Sequence, residues 1–195
     1  MLVKDKTFEI FISQTRIEHR TAELAAQISA DYEGKNPLFI TILNGAFIFA
    51  ADLIRQIHIP SEITFVKFTS YVAMESSGKV DQIIGFNDDI YGRHIVLIED
   101  IIDTGLTMYE ILKTLKNFRP ASIEVVSLLR KPDALKQHLT VKYVGFDIDN
   151  KFVVGYGLDY DGYGRNLPDI YVVSQANWTK ATDYPTGFLY WCTCQ

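Results

Sequence analysis

The sequence predicts an α/β domain: a mostly parallel central sheet flanked by helices. Three observations carry this reading. Short apolar runs such as Leu38–Leu43, His94–Ile98 and Ile123–Leu129 lack in–out alternation, so they read as strands buried on both faces. Apolar residues at helical spacing fill the segments between them. Turn signals, Asn44-Gly45 and Asp103-Thr104-Gly105, sit where a strand must hand over to a crossover helix.

The elements follow in order. Ser13 is placed to cap a helix whose inner face is Ile17, Leu24 and Ile28, with Gly34 just beyond its end. Leu38–Leu43, after Pro37, is the first buried strand, and a second helix runs from about Ala46 to Ile57. Ile63–Phe68 is the next strand. The polar stretch from Thr69 to Val80 has no clear period, as expected of a long functional loop. His94–Ile98 ends in Glu99-Asp100. Beyond Gly105 a helix presents Met108, Ile111, Leu112, Leu115 and Phe118 on one face. Ile123–Leu129 is a strand, and Pro132 opens a short helix. Tyr143–Phe146, Phe152–Val154 and Ile170–Val173 are further strands, separated by an irregular Gly-, Tyr- and Asp-rich segment from Tyr156 to Arg165. Residues 1–173 read as a single domain. The tail 174–195 is rich in aromatics but carries no usable motif, so its role stays open.

Composition bounds the function. The chain has 195 residues, 48% hydrophobic and 22% charged, the mix of a globular protein. Lys and Arg total 19 against 24 Asp and Glu, a net charge of -5. Such a balance argues against a nucleic-acid or anionic-membrane binder, which needs a basic face. It does not argue against a phosphate ligand, because backbone amides and a divalent cation meet phosphate without net positive charge. No apolar stretch approaches the roughly 20 residues of a membrane span. Met1 to Phe8 lacks a following signal-peptide core, and Cys192 and Cys194 supply at most half a zinc site. A reduced, cytoplasmic protein is expected.

In open parallel sheets ligands bind at the carboxyl ends of the strands. Four such ends matter here: Leu43-Asn44-Gly45, Glu99 to Thr107, Leu129-Arg130-Lys131, and Phe152 to Asp159. The second is the most informative. It places two adjacent carboxylates where a buried strand emerges, then a third carboxylate and a Thr-Gly-x-Thr turn entering a helix. Free amides and hydroxyls at a helix start suit a phosphate monoester. The paired carboxylates suit a sugar diol or hydrated Mg²⁺. The plainer alternative is a capped helix with acids placed favourably for its dipole. Neither a Walker A loop nor a dinucleotide fingerprint occurs at this turn.

Val96–Thr107 resembles the phosphoribosyl pyrophosphate-binding signature of the type I phosphoribosyltransferases. The surrounding segments, Leu43–Phe47, Ser70-Tyr71, Leu128–Pro132 and Phe152–Tyr160, resemble the hypoxanthine (hypoxanthine-guanine) phosphoribosyltransferase family in the same order. The similarity covers about Asp5 to Val173. It implies the type I phosphoribosyltransferase fold, with a small hood region built from the chain ends. It implies a purine-salvage transferase that joins a 6-oxopurine to phosphoribosyl pyrophosphate, releasing pyrophosphate and forming IMP or GMP.

The resemblance also implies roles. Asp103, Thr104, Gly105, Leu106 and Thr107 would cradle the 5′-phosphate, and Glu99 and Asp100 would face the ribose hydroxyls directly or through Mg²⁺. Asp103 would act at purine N7 as general base, with helix N-cap as its alternative role. Lys131 would donate to the exocyclic O6, whereas a lysine before proline is ordinarily a solvated surface residue. Phe152 would stack on the purine, or else simply belong to the core, and the backbone of Val153 would meet the base edge. Asp159 would hold Mg²⁺, and Arg165 would bind pyrophosphate. Leu43, Asn44 and Gly45 would form the pyrophosphate loop, with a non-proline cis peptide at its first bond. Asn44 stands where many members have Lys, which removes a direct side-chain charge. Ser70 and Tyr71 would belong to a loop that closes over the site. The resemblance further implies a homodimer or homotetramer.

Two other functions compete with this one. A regulator on the same fold should carry a basic face or a DNA-binding segment, and this chain has neither. A transferase for adenine or a pyrimidine is disfavoured by Lys131-Pro132 and Phe152-Val153.

Overall fold

The computed structural model describes residues 1–68, 83–84 and 89–174. In chain order the elements are β1 (Leu2–Val3), β2 (Lys6–Ile12), α1 (Gln14–Asp31), β3 (Leu38–Leu43), α2 (Phe47–Ile54), β4 (Glu62–Phe68), β5 (Ile83–Ile84), β6 (His94–Ile102), α3 (Leu106–Lys116), β7 (Ser122–Arg130), a 3-10 turn (Pro132–Ala134), β8 (Tyr143–Asp147), β9 (Val153–Val154) and β10 (Ile170–Val173).

The main sheet has the order β5-β4-β3-β6-β7-β8. Its strands β4, β3, β6, β7 and β8 are parallel, and β5 runs antiparallel at one edge. Burial on both faces explains the unbroken apolar runs. Val96 and Ile98 of β6 pack toward α1 and α2 with Ile17, Leu24, Phe49 and Leu53. Ile95 and Leu97 pack the opposite way, against Met108, Ile111 and Leu115 of α3. At the β8 edge, Arg20 of α1 donates to the carbonyl oxygens of Val144 and Gly145, at 2.7 and 3.0 Å.

A second, antiparallel sheet has the order β1-β2-β10-β9. It is the hood, and its small core gathers Val3, Phe8 and Val154. The sequence reading did not identify β1 and β2. The reason is physical: the register slips between Ile170 and Tyr171, so Ile12 and Ile10 find partners while the alternation in Phe8–Ile12 is broken. Ile10 is consequently exposed while Phe8 and Ile12 are buried.

Three further expectations are corrected. Ser13 occupies the N-cap of α1, but its side chain makes no capping bond. The Gln14 N–H instead donates to Asp169 Oδ1 of the hood at 2.7 Å. The second helix stops at Ile54, because Gln56 and Ile57 bond back only three residues, in 3-10 fashion. The strand expected to end before Glu99 continues through Ile102. Residues 175–195, which hold most of the aromatic tail, lie outside the described residues, as do Ser70 and Tyr71.

Candidate active site

The site forms where β3 and β6 part. Their ladder ends at Thr41 and Ile98. β6 then runs on, paired only with β7 as far as Ile102 and Arg130. Chain order reverses between β3 and β6, so this is the topological switch point where a parallel sheet opens a crevice. Glu99, Asp100 and Asp103 enter from β6, Asn44 and Gly45 from the turn after β3, Lys131 from the end of β7, and Phe152, Asp159 and Arg165 from the hood side.

The Leu43–Asn44 peptide is cis. Gly45 is required at the next position, since a Cβ there would overlap Asp100 Oδ2. Asp100 also accepts the Ile101 N–H through Oδ1 at 2.8 Å. Burial raises the Glu99 carboxyl well above its ordinary value, and the neighbouring Asp100 adds to the shift. Burial raises Asp100 as well, opposed by hydrogen bonds and by the charge of Arg165.

Gly105, at φ +74, is the N-cap of α3 and provides no side chain. The helix therefore opens without a side-chain N-cap bond, and Gly105 and Thr107 line the cleft. Thr104 is buried; its Oγ1 lies 3.5 Å from the Leu106 nitrogen, a long contact. The alternative role of Asp103 as N-cap is thus ruled out by position. Its carboxylate instead holds the Lys131 ammonium at 2.7 Å. Lys131 is only 4% exposed, which overturns the reading of a solvated lysine before proline. Backbone bonds fix this corner: the Lys131 N–H donates to Ile102 and the Lys136 N–H to Thr104, both at 2.9 Å.

A family model described as the phosphoribosyl transferase domain matches residues 12–161. The chain is 42% identical over 165 residues to the hypoxanthine-guanine phosphoribosyltransferase of Mycobacterium bovis, which covers 81% of this chain and 82% of that one. The chain belongs to the hypoxanthine-guanine phosphoribosyltransferase family. Solved structures agree. The Bacillus anthracis hypoxanthine-guanine phosphoribosyltransferase matches with a TM-score of 0.80 at 38% identity, covering 87% of this chain and 98% of that one. The Trypanosoma cruzi hypoxanthine phosphoribosyltransferase, solved with the product IMP, matches with a TM-score of 0.81 at 33% identity, covering 91% and 100%.

In this phosphoribosyltransferase the anticipated residues converge closely. Leu43, Asn44, Gly45, Glu99, Asp100, Asp103, Thr104, Gly105, Thr107, Lys131, Phe152, Val153, Asp159 and Arg165 all line one cleft. Leu106 does not line it; its side chain is exposed at the start of α3. Phe152 packs in a three-ring group with Phe8 and Tyr160, at centroid distances of 6.2 and 5.6 Å. Asp159 accepts the Gly162 N–H at 2.7 Å and pairs with Arg165 Nη2 at 2.6 Å, while Arg165 Nη1 donates to the Gly157 carbonyl at 2.7 Å. Sequence reasoning missed the apolar lining residues Ile42, Ile101, Ile102, Met108 and Leu158. Their only sequence signal was proximity to the polar positions, since each also reads as ordinary core.

Among the described residues, no three His, Cys, Asp or Glu side chains form a group that could hold a metal unaided. Magnesium needs no such cage, as it takes one or two carboxylates and fills its shell with phosphate and water. Glu99, Asp100 and Asp159 offer hard oxygen donors in the cleft, a set that fits this mode.

Proposed function

We propose that this enzyme transfers the 5-phosphoribosyl group from phosphoribosyl pyrophosphate to hypoxanthine or guanine, giving IMP or GMP and pyrophosphate. One observation carries the choice of base: the Lys131 ammonium and the Asp103 carboxylate, 2.7 Å apart on the cleft floor. A 6-oxopurine presents O6 and N7 side by side on one edge. Lys131, a donor only, suits O6; Asp103, an acceptor when ionised, takes the proton at N7. Adenine puts an amino group where O6 would be, and two donors then face each other.

The remaining roles follow from chemistry. Phe152 stacks on the purine face and the Val153 backbone meets its edge. The uncapped amides from Thr104 to Thr107 receive the 5′-phosphate. Glu99 and Asp100 orient the ribose hydroxyls. The 43–45 backbone and Arg165 receive pyrophosphate, and Asp159, which Arg165 now pairs, would hold Mg²⁺. Bound Mg²⁺ would neutralise charge on the departing pyrophosphate. Asn44 adds no charge there, so Arg165 carries the fixed positive charge of that subsite.

No helix among the described residues is long and apolar enough to cross a membrane. The reaction is assigned to the cytoplasm, with the chain acting as a homodimer or homotetramer. Ile63 and Phe65, exposed two residues apart on one face of β4, offer apolar surface for self-association. Residues 1–173 act as one catalytic unit, and no nucleic acid or membrane is engaged.

The test is an assay with phosphoribosyl pyrophosphate, Mg²⁺ and each free purine, with and without EDTA. Metal-dependent nucleotide formation from hypoxanthine and guanine, with none from adenine, is expected. No product from any 6-oxopurine overturns the reading.

A further inference from the structure

We propose that Tyr156 and Asp52 form a latch behind the active site: the hydrogen bond between them holds the 155–159 loop against the 43–45 loop and so sets the geometry of the pyrophosphate subsite. This rests on the assignment of those two loops to Mg²⁺-pyrophosphate. Tyr156 is a positioning residue and touches no substrate.

The two loops meet with almost no side chain between them. A Cβ on Gly157 would overlap the carbonyl oxygen of Gly45, and a Cβ on Gly45 would overlap Asp100. Three cleft-forming segments thus abut at one point, through backbone and a single carboxylate. Tyr156 and Leu158 of one loop share a buried apolar core with Ala46 and Phe49 beside the other, but apolar packing is non-directional and does not by itself fix how two backbones are set against each other.

The tie lies one residue away. Tyr156 is buried, and its hydroxyl donates to Asp52 Oδ2 at 2.6 Å, across 104 residues of chain. Asp52 stands on α2, the helix that the 43–45 loop leads into. Tyr156 adopts φ +51 between Gly155 and Gly157, at φ +104 and +100. A left-handed tyrosine is uncommon and persists where surrounding contacts demand it. Here its N–H donates to Leu167 at 2.8 Å and the next N–H to Arg165 at 2.9 Å, so one conformation aims the ring at α2 and the loop at the cleft. Burial, with the Asp52 carboxylate adding to it, pushes the phenol above its ordinary range and keeps it a donor.

The experiment is steady-state kinetics of the full chain bearing Tyr156→Phe, which keeps the ring and loses the donor, and separately Asp52→Ala, which removes the acceptor. The latch predicts that KM for phosphoribosyl pyrophosphate rises about tenfold in Tyr156→Phe, the scale of one hydrogen bond to a charged group. KM for pyrophosphate in the reverse reaction rises in parallel, while KM for hypoxanthine stays at the wild-type value. Asp52→Ala shows the same split, and the double variant is no worse than the worse single one. A purely structural role would lower the melting temperature and leave this split absent, and that result overturns the latch. Should Tyr156→Phe fail to fold, an unchanged KM for phosphoribosyl pyrophosphate in folded Asp52→Ala overturns it equally. Absence of turnover in the wild-type chain would instead overturn the parent reading, and the latch with it.

Discussion

Lys131 Nζ lies 2.7 Å from Asp103 Oδ2, and the two side chains are 5% and 17% exposed. A lysine so deeply placed needs a counter-charge, and Asp103 provides it across 28 residues of chain. Under the proposed function, the donor that would select the base and the acceptor that would take its proton hold each other in the cleft.

Removing one partner should show both sides of this relationship. Asp103→Asn keeps a hydrogen-bond acceptor, so the fold persists while turnover falls at least about 100-fold, the scale of a lost general base. Asp103→Ala strands the Lys131 ammonium and should cost about 3 kcal/mol by urea denaturation. Wild-type turnover of Asp103→Asn at saturating base would remove Asp103 from proton transfer.

Lys131→Ala should abolish efficient use of hypoxanthine and guanine. Initial rates with each purine measure this directly. If the variant still rejects adenine while using hypoxanthine normally, selectivity resides elsewhere.

The paired carboxylates predict an unusual pH dependence. Glu99 and Asp100 are both raised by burial, so the folded state holds protons more firmly than the unfolded chain does. Their contribution to stability is complete below the unfolded carboxylate range and is lost as pH rises through the raised folded values. Glu99→Gln removes the larger part of this dependence. Its melting temperature should exceed that of wild type near about pH 8, and the difference should shrink toward about pH 4. Activity should fall at the same time. A gap that widens on acidification contradicts the assignment.

Thr41 is fully buried in β3, and its Oγ1 has no hydrogen-bond partner among the described residues. Thr41→Val keeps the shape and deletes the unmet hydroxyl. It should raise stability by about 1 kcal/mol in denaturant titration. A loss of similar size would reveal a partner for the hydroxyl.

The legibility of this protein in its sequence divides along physical lines. Doubly buried strands announce themselves by composition: β3 was legible to the residue and β7 to within one residue at each end, whereas β6 runs four residues past its unbroken apolar stretch. The Glu99–Thr107 signature is contiguous because one strand end and one helix start build it, so it needed no tertiary information. The hood was harder. Its β2 has its alternation broken by a register slip, and its partner β10, with β9 on the far side, arrives from the far end of the chain. The capping of α1 by Asp169 and the burial of Lys131 by Asp103 were illegible for the same reason. Both are contacts that only the assembled topology creates.

The grip of Arg20 on the Val144 and Gly145 carbonyls has a consequence for the life of the protein outside catalysis. An open sheet edge is a template on which another strand, from an unfolded neighbour or a growing fibril, can zip. At β8 such a strand would first have to strip away the guanidinium, which Glu23 also anchors at 2.5 Å. The catalytic sheet is fenced on that side against templating its own misassembly.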